Sequence, residues 1–188
     1  MIQINAPKYP IKIDIKDTIT TFFQPYMDIL FNHFNVPKEE QGTPFANFDK
    51  ENNTLDVLAC NTLGVSIQFF IIPITETISH LRTEIAQKTF LKILLMHELL
   101  HSVNKKDYQI KTDKDYEIYT TYQAIDILQS KNLINYNDLF SEYRRSKYYG
   151  TPVKTKEHLY LINLMYPIEM SIKGNSVKGK FYNGEQFG

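Results

Sequence analysis

The feature that most constrains this chain is a stretch without proline, residues 74–151. Proline breaks the interior of a helix, so its absence over this length permits long continuous helices. Within the stretch, residues 79–103 place apolar side chains on nearly every side of a helix, including Leu81, Phe90, Leu91, Ile93, Leu94, Leu95, Met96, Leu99 and Leu100. A helix that is apolar all round is a buried one. We therefore predict a buried central helix over residues 79–103.

The segments before this helix predict strands and one further helix. Residues 11–15 alternate apolar and polar side chains, as a half-buried strand does. Apolar residues at helical spacing predict a helix over residues 17–35, with Asp17 as its cap and Pro25 as a kink or a start. Residues 55–60 and 65–72 read as two strands of a hairpin around a turn at residues 61–64.

The segments after it predict more helix and then a tail. Helices are expected over residues 116–129 and near residues 137–145, while four of the seven glycines fall in the last fifteen residues. The expected fold is α+β: a small twisted mixed sheet packed on a backing helix and on the central helix, with a mainly helical lower part. We expect one domain, residues 1–172, and a Gly-rich tail of loose or irregular strands, residues 173–188.

Composition excludes several classes of function. The 21 Lys and Arg balance the 21 Asp and Glu, so the chain lacks the positive field that a nucleic-acid binder uses. The single cysteine, Cys60, excludes an internal disulfide and a cysteine-based zinc finger, so any metal must be held by His, Asp or Glu. No secretory signal and no stretch long enough to span a membrane is visible, and we expect a cytoplasmic protein without a membrane partner.

One motif carries chemistry, the pattern His-Glu-x-x-His at residues 97–101. Residues four apart on a helix lie about 40° apart around the axis and about 6 Å apart along it, so His97 and His101 can bind one Zn²⁺ from the same face. Glu98 lies about 100° from His97, where its carboxylate can act as general base on a zinc-bound water. The composition predicts about 0.008 chance copies of the pattern, so accident is a poor explanation.

A catalytic zinc needs a third protein ligand, and the residues leave more than one candidate. Glu117 opens the helix at residues 116–129 and shares a stripe with Thr121, Ala124 and Leu128, so it can face inward. Asp107 is the rival, six residues beyond His101, with Asn104 placed where the helix would have to turn. Asp113, Asp115 and His158 are weaker candidates, and His33 and His80 are expected to have surface or capping roles.

With these residues, the chain resembles the zincin metallopeptidases, most closely the short gluzincins. The resemblance covers about residues 55–129 and implies that His97, His101 and Glu117 bind zinc while Glu98 serves as the base. It also implies that the strand at residues 65–72 is an edge strand that pairs with an extended substrate. Larger gluzincins carry an Asp that orients a ligand histidine at the position of Thr121, which leaves that histidine's partner unassigned.

The metzincins are a second resemblance. Their motif has a Gly at the position of Asn104 and usually a His at that of Asp107, and Met165 with Pro167 resembles their Met-containing turn. The function expected from either resemblance is zinc-dependent hydrolysis of a peptide or protein substrate. The alternative is a zincin-like protein that holds metal and regulates or binds a partner without turnover.

Overall fold

The computed structural model describes residues 8–51, 58–62, 64–103 and 113–145, together with three C-terminal strands. For residues 113–119, 140, 143–145 and those strands it describes the backbone path alone. The described residues form five α-helices, a three-stranded mixed sheet and a second, antiparallel sheet, so the α+β class is confirmed. None of the described helices is long and apolar enough to cross a bilayer.

Helix α3, Glu84–Val103, is the centre of the fold. It contacts helix α1 (Ile15–His33), helix α4 (Asp113–Ser130), helix α5 (Tyr136–Arg145) and strand β2 (Ala59–Thr62). Because partners surround it, almost its entire second half is buried, and the buried apolar side chains are Phe90, Leu91, Ile93, Leu94, Leu95, Met96, Leu99 and Leu100. The prediction of a buried central helix is confirmed, with a start five residues later than expected.

Helix α1 begins at Ile15 and ends at His33, so the predicted cap is wrong by three residues. Asp14 is the N-cap, and its carboxylate accepts a hydrogen bond of 2.8 Å from the backbone N–H of Asp17. Pro25 lies in the helix interior on an exposed face, where water can satisfy the carbonyl that the proline leaves unbonded.

The predicted strand at residues 11–15 is also wrong, because these residues pair with no described strand, Ile15 already begins α1, and the N–H of Lys12 bonds to a side chain. Gln87, which is fully buried in α3, accepts a hydrogen bond from Lys12 N and donates to the carbonyls of Pro10 and Leu81. The alternation of Ile11 and Ile13 therefore reflects packing of an extended segment on the core.

The mixed sheet contains strand β1 (Phe45–Asp49), β2 and strand β3 (Ser66–Phe70) in the order β1-β3-β2. The predicted hairpin is confirmed, since β2 and β3 pair antiparallel from Ala59↔Phe69 to Thr62↔Ser66. The prediction that this second strand is an edge strand is wrong, because β1 pairs with β3 in parallel on its other side. Among the described strands, the edges of this sheet are β1 and β2.

The sequence patterns missed two elements of this region. Strand β1 is largely exposed and lacks an apolar alternation that would reveal it. The first two residues of helix α2, Ile71–Ile78, fall in the predicted strand at residues 65–72 because both are β-branched, and the rest of the helix was not predicted. Pro73 is tolerated in the first turn of α2, where its missing N–H has no helical acceptor.

Three strands follow near the C-terminus: β4 (Pro167–Lys173), β5 (Ser176–Phe181) and β6 (Gln186–Phe187). They form an antiparallel sheet in which Lys173 pairs with Ser176 and Gly179 with Phe187. The segment expected to be a tail thus contains regular β-structure, whereas the domain boundary near residue 172 stays a prediction.

A carboxylate from a distant part of the chain caps the start of α3. Glu142 of α5 accepts hydrogen bonds from the backbone N–H groups of Arg82 and Thr83 and from the Thr83 hydroxyl. Thr83 in turn accepts from Ala86 N at 3.2 Å. A helix N-terminus carries unsatisfied donors and a partial positive charge, so this carboxylate stabilises α3 and ties it to α5.

We expect Glu142→Ala to lower the free energy of unfolding by about 2 kcal/mol, because it leaves the donors before α3 without an acceptor. Glu142→Gln, which keeps an acceptor oxygen but loses the charge, should cost about half as much. Urea denaturation measures both, with the exposed Glu51→Ala as a control near zero. Equal stability of Glu142→Ala and Glu51→Ala would contradict the capping role.

Candidate metal centre

The His-Glu-x-x-His motif lies in the last two turns of α3, as predicted. His97 and Glu98 are only 6% and 7% exposed, and His101 is half-buried. Burying two imidazoles and a carboxylate in an apolar helix costs free energy unless each polar group has a partner. Each of the three residues has at least one interaction. The imidazoles of the two histidines contact each other, and that of His97 also contacts Thr121.

The two imidazoles converge through their Nε2 atoms, which lie 3.1 Å apart. The rings meet edge to face, with centroids separated by 4.7 Å and planes at 83°. Two nitrogens bound to one tetrahedral Zn²⁺ through bonds of 2.0–2.1 Å would lie about 3.3 Å apart. The separation of the two Nε2 atoms is therefore close to that of two nitrogens bound to one zinc ion.

Thr121 of α4 holds the ring of His97. The Nδ1 atom of His97 lies 2.9 Å from Thr121 Oγ1, and the threonine is 1% exposed. When Nε2 of a neutral histidine binds metal, the proton resides on Nδ1, which then donates to this hydroxyl. Thr121 is thus the partner of His97 that the sequence left unassigned. Its position on the inward stripe of α4 is the sequence pattern that could have identified it.

The third ligand stays a prediction. Glu117 lies in α4 one turn before Thr121, on the stripe that continues through the buried Ala124 and Leu128. Its side chain, like those of Asp113 and Asp115, lies outside the described residues, as do Asp107, Asn104 and His158 entirely. Among the side chains that are described, no three of His, Cys, Asp or Glu are grouped so that they could hold a metal ion.

The side chain of Asn61 joins the edge strand β2 to the motif helix. Asn61 Nδ2 donates to the carbonyl oxygen of Glu98 at 2.9 Å and to Ser102 Oγ at 2.7 Å. Its Oδ1 accepts from the N–H of Gly64 at 2.9 Å, in the turn toward β3. The motif therefore lies between α4, which holds His97, and β2, which is bonded to the turn that carries Glu98.

Of the two isolated histidines, His33 is exposed in the last turn of α1, as the surface role predicts. It packs edge to face on Phe34, with centroids 4.8 Å apart. His80 is half-buried in the turn after α2, and its role stays a prediction.

The chain matches no protein-family model, no curated protein and no solved structure at a significant level. Inference about its function therefore rests on the arrangement of residues around α3.

The hydrogen bond from His97 to Thr121 generates a test by metal affinity. Thr121→Val keeps the shape of the side chain but removes the acceptor, so we expect the dissociation constant for Zn²⁺ to rise by about 10- to 100-fold. Thr121→Ser, which keeps a hydroxyl group, should retain most of the wild-type affinity for Zn²⁺. Competition with a chromophoric chelator measures this dissociation constant. Thr89→Val, at a buried threonine of α3, serves as the matched control. Unchanged affinity in Thr121→Val would contradict the assigned role.

Proposed function

We propose that this protein is a zinc-dependent metallopeptidase in which His97, His101 and Glu117 hold one Zn²⁺. The observation that carries the proposal is the convergence of the two Nε2 atoms to 3.1 Å, with the ring of His97 held from behind by Thr121. Together with the resemblance of residues 97–101 to the zincin motif, this arrangement favours the gluzincin type. When bound, zinc polarises a carbonyl group and lowers the pKa of a water molecule.

Glu98 supplies the proton transfer. It follows His97 directly, is 7% exposed, and lies about 100° around the helix from His97. Its carboxylate accepts a proton from the attacking water and delivers that proton to the amine nitrogen of the departing peptide. A protein that only stored metal would have no need for a base at this position, so Glu98 favours turnover over the alternative of a silent metal-binding protein.

The substrate strand in this proposal is β2, in place of the strand at residues 65–72. Strand β2 is an edge strand of the mixed sheet and contacts α3 on the side of Glu98. An extended peptide that adds to this edge by main-chain hydrogen bonds would pass over Glu98 and the two histidines. The expected substrate is accordingly a peptide or an unfolded protein segment.

The role of Glu98 is tested by Glu98→Gln. The variant should retain about one Zn²⁺ per chain, because the histidines are untouched, and lose peptidase activity by about 10²- to 10⁴-fold, because a neutral amide accepts no proton. Elemental analysis measures the metal, and digestion of a peptide library followed by mass spectrometry measures cleavage. His97→Ala is the control that should lose both metal and activity. Unimpaired cleavage by Glu98→Gln would refute the mechanism.

A wild-type protein that binds zinc but cleaves no peptide would instead support the silent metal-binding alternative. A protein without zinc, and with a melting temperature that a chelator leaves unchanged, would indicate an accidental motif. Zinc bound only by the folded state raises stability, so a chelator should lower the melting temperature of the wild type and not of His97→Ala.

The third ligand separates the two zincin types. Glu117→Ala should weaken zinc affinity severely, while Asp107→Ala leaves it nearly unchanged, because Glu117 lies on the inward stripe of α4 with Thr121. Asn104→Val should be almost silent, since the gluzincin arrangement needs no special turn after α3. Loss of zinc in Asp107→Ala and Asn104→Val, with Glu117→Ala unaffected, would indicate the metzincin type.

A further inference from the structure

The side-chain amide of Asn61 makes three hydrogen bonds, two as donor and one as acceptor. The two Nδ2 protons go to Glu98 O and to Ser102 Oγ, both on α3, while Oδ1 accepts from Gly64 N in the turn between β2 and β3. The turn approaches the helix closely, since a Cβ atom added to Gly64 would lie 3.5 Å from the Cα of Ser102. A single side chain therefore joins the hairpin turn, the edge strand and the motif helix.

The strand presents the side chain and the backbone of Asn61 in different directions. Asn61 pairs with Ile67, which is fully buried, so its side chain shares the face of the sheet that packs toward the core. Phe70 N donates to Leu58 O, and the alternation of an antiparallel ladder then directs the peptide groups of Cys60 and Thr62 toward β3. The peptide groups of Ala59 and Asn61 consequently face the outer edge of β2.

The helix presents the main-chain carbonyl of Glu98 and the hydroxyl of Ser102 to this strand. These two residues are one turn apart and lie about 100° around α3 from His97 and His101, respectively. The bond from Asn61 to the main-chain oxygen of Glu98 thus fixes β2 relative to the turn that carries the proposed base. A displacement of this strand along the helix axis would have to break two hydrogen bonds to α3.

We propose that Asn61 is a positioning residue. It fixes where the outer edge of β2, the proposed substrate-binding edge, lies along the axis of α3 relative to Glu98. An extended peptide that pairs with the outward peptide groups of Ala59 and Asn61 is then presented to the histidine pair in one register. The inference rests on the proposed peptidase function and adds a residue outside the motif that selects extended, multi-residue peptides. Short peptides that do not reach β2 gain nothing from Asn61.

This difference between long and short substrates provides the test. Two quenched fluorescent peptides are made around a bond that the wild-type protein cleaves in the library, one of about eight residues and one of about three. The measured quantity is the ratio of kcat/KM for the long peptide to kcat/KM for the short one. Because both values come from the same preparation, a variant's loss of folded or zinc-loaded protein cancels from the ratio.

We expect Asn61→Ala to lower this ratio by about tenfold or more, because a small misplacement of the bound peptide suffices to slow the reaction. Ser102→Ala, which removes one of the two bonds from Asn61 to α3, should lower it by a smaller factor. Thr62→Ala, at an exposed position whose peptide group faces β3 and not the peptide-binding edge, should leave the ratio unchanged. All variants should retain about one Zn²⁺ per chain, because the proposed ligands are untouched.

Hydrogen exchange supplies a readout independent of activity. The N–H of Gly64 is held by Asn61 Oδ1, so its exchange should be about tenfold faster in Asn61→Ala and unchanged in Thr62→Ala. A wild-type substrate ratio in Asn61→Ala, or a Gly64 exchange rate equal to that of the wild type, would overturn the inference while leaving the peptidase function intact. A wild-type protein that cleaves no peptide would overturn the proposed function and this inference together.

Discussion

The fold depends on the burial of a polar motif among the apolar side chains of its central helix. His97 and Glu98 are almost fully buried among leucines that make α3 the centre of the core. Burial of unpartnered imidazole and carboxylate groups would cost several kcal/mol, so the neighbouring elements must supply partners. Thr121 supplies one to His97 from α4, and the two histidines supply one to each other.

The ends of the helix are tied to distant parts of the chain in a related manner. Glu142 caps the N-terminal end from α5, and Gln87 binds the extended segment before α1 through Pro10 and Lys12. Near the other end, Asn61 bonds to Glu98 O and Ser102 from β2. Polar side chains, each with defined partners, thus set the position of α3 against both its helical and its sheet neighbours, where apolar packing alone would permit sliding.

The geometry of the motif has a consequence for how metal would bind. The Nε2 atoms are already at a separation suited to one tetrahedral ion, and the His97 ring is already held by Thr121. Little ordering of these side chains would then be needed when zinc binds, which favours affinity.

The sequence alone determined the elements whose signal is local. Periodicity and turn residues predict that α3 is apolar on all sides, that His97 and His101 share a face, that β2 and β3 form a hairpin, and that α4 and α5 are helices. The structure confirms each of these features. The inward stripe of α4 through Thr121, Ala124 and Leu128 was also visible as a helical repeat, and all three residues are buried.

Only the tertiary structure decided what depends on partners distant in sequence. Residues 11–15 alternate like a strand, yet the backbone of Lys12 and of the preceding Pro10 bonds to the Gln87 side chain, and no local pattern encodes that partner. Strand β1 is exposed and gains its strand character from parallel pairing with β3, which also moves the free edge to β2. The contacts of Thr121 with His97 and of Asn61 with Glu98 join residues 24 and 37 positions apart. Sequence patterns record which face of an element is apolar, whereas the packing of whole elements determines which polar side chains meet.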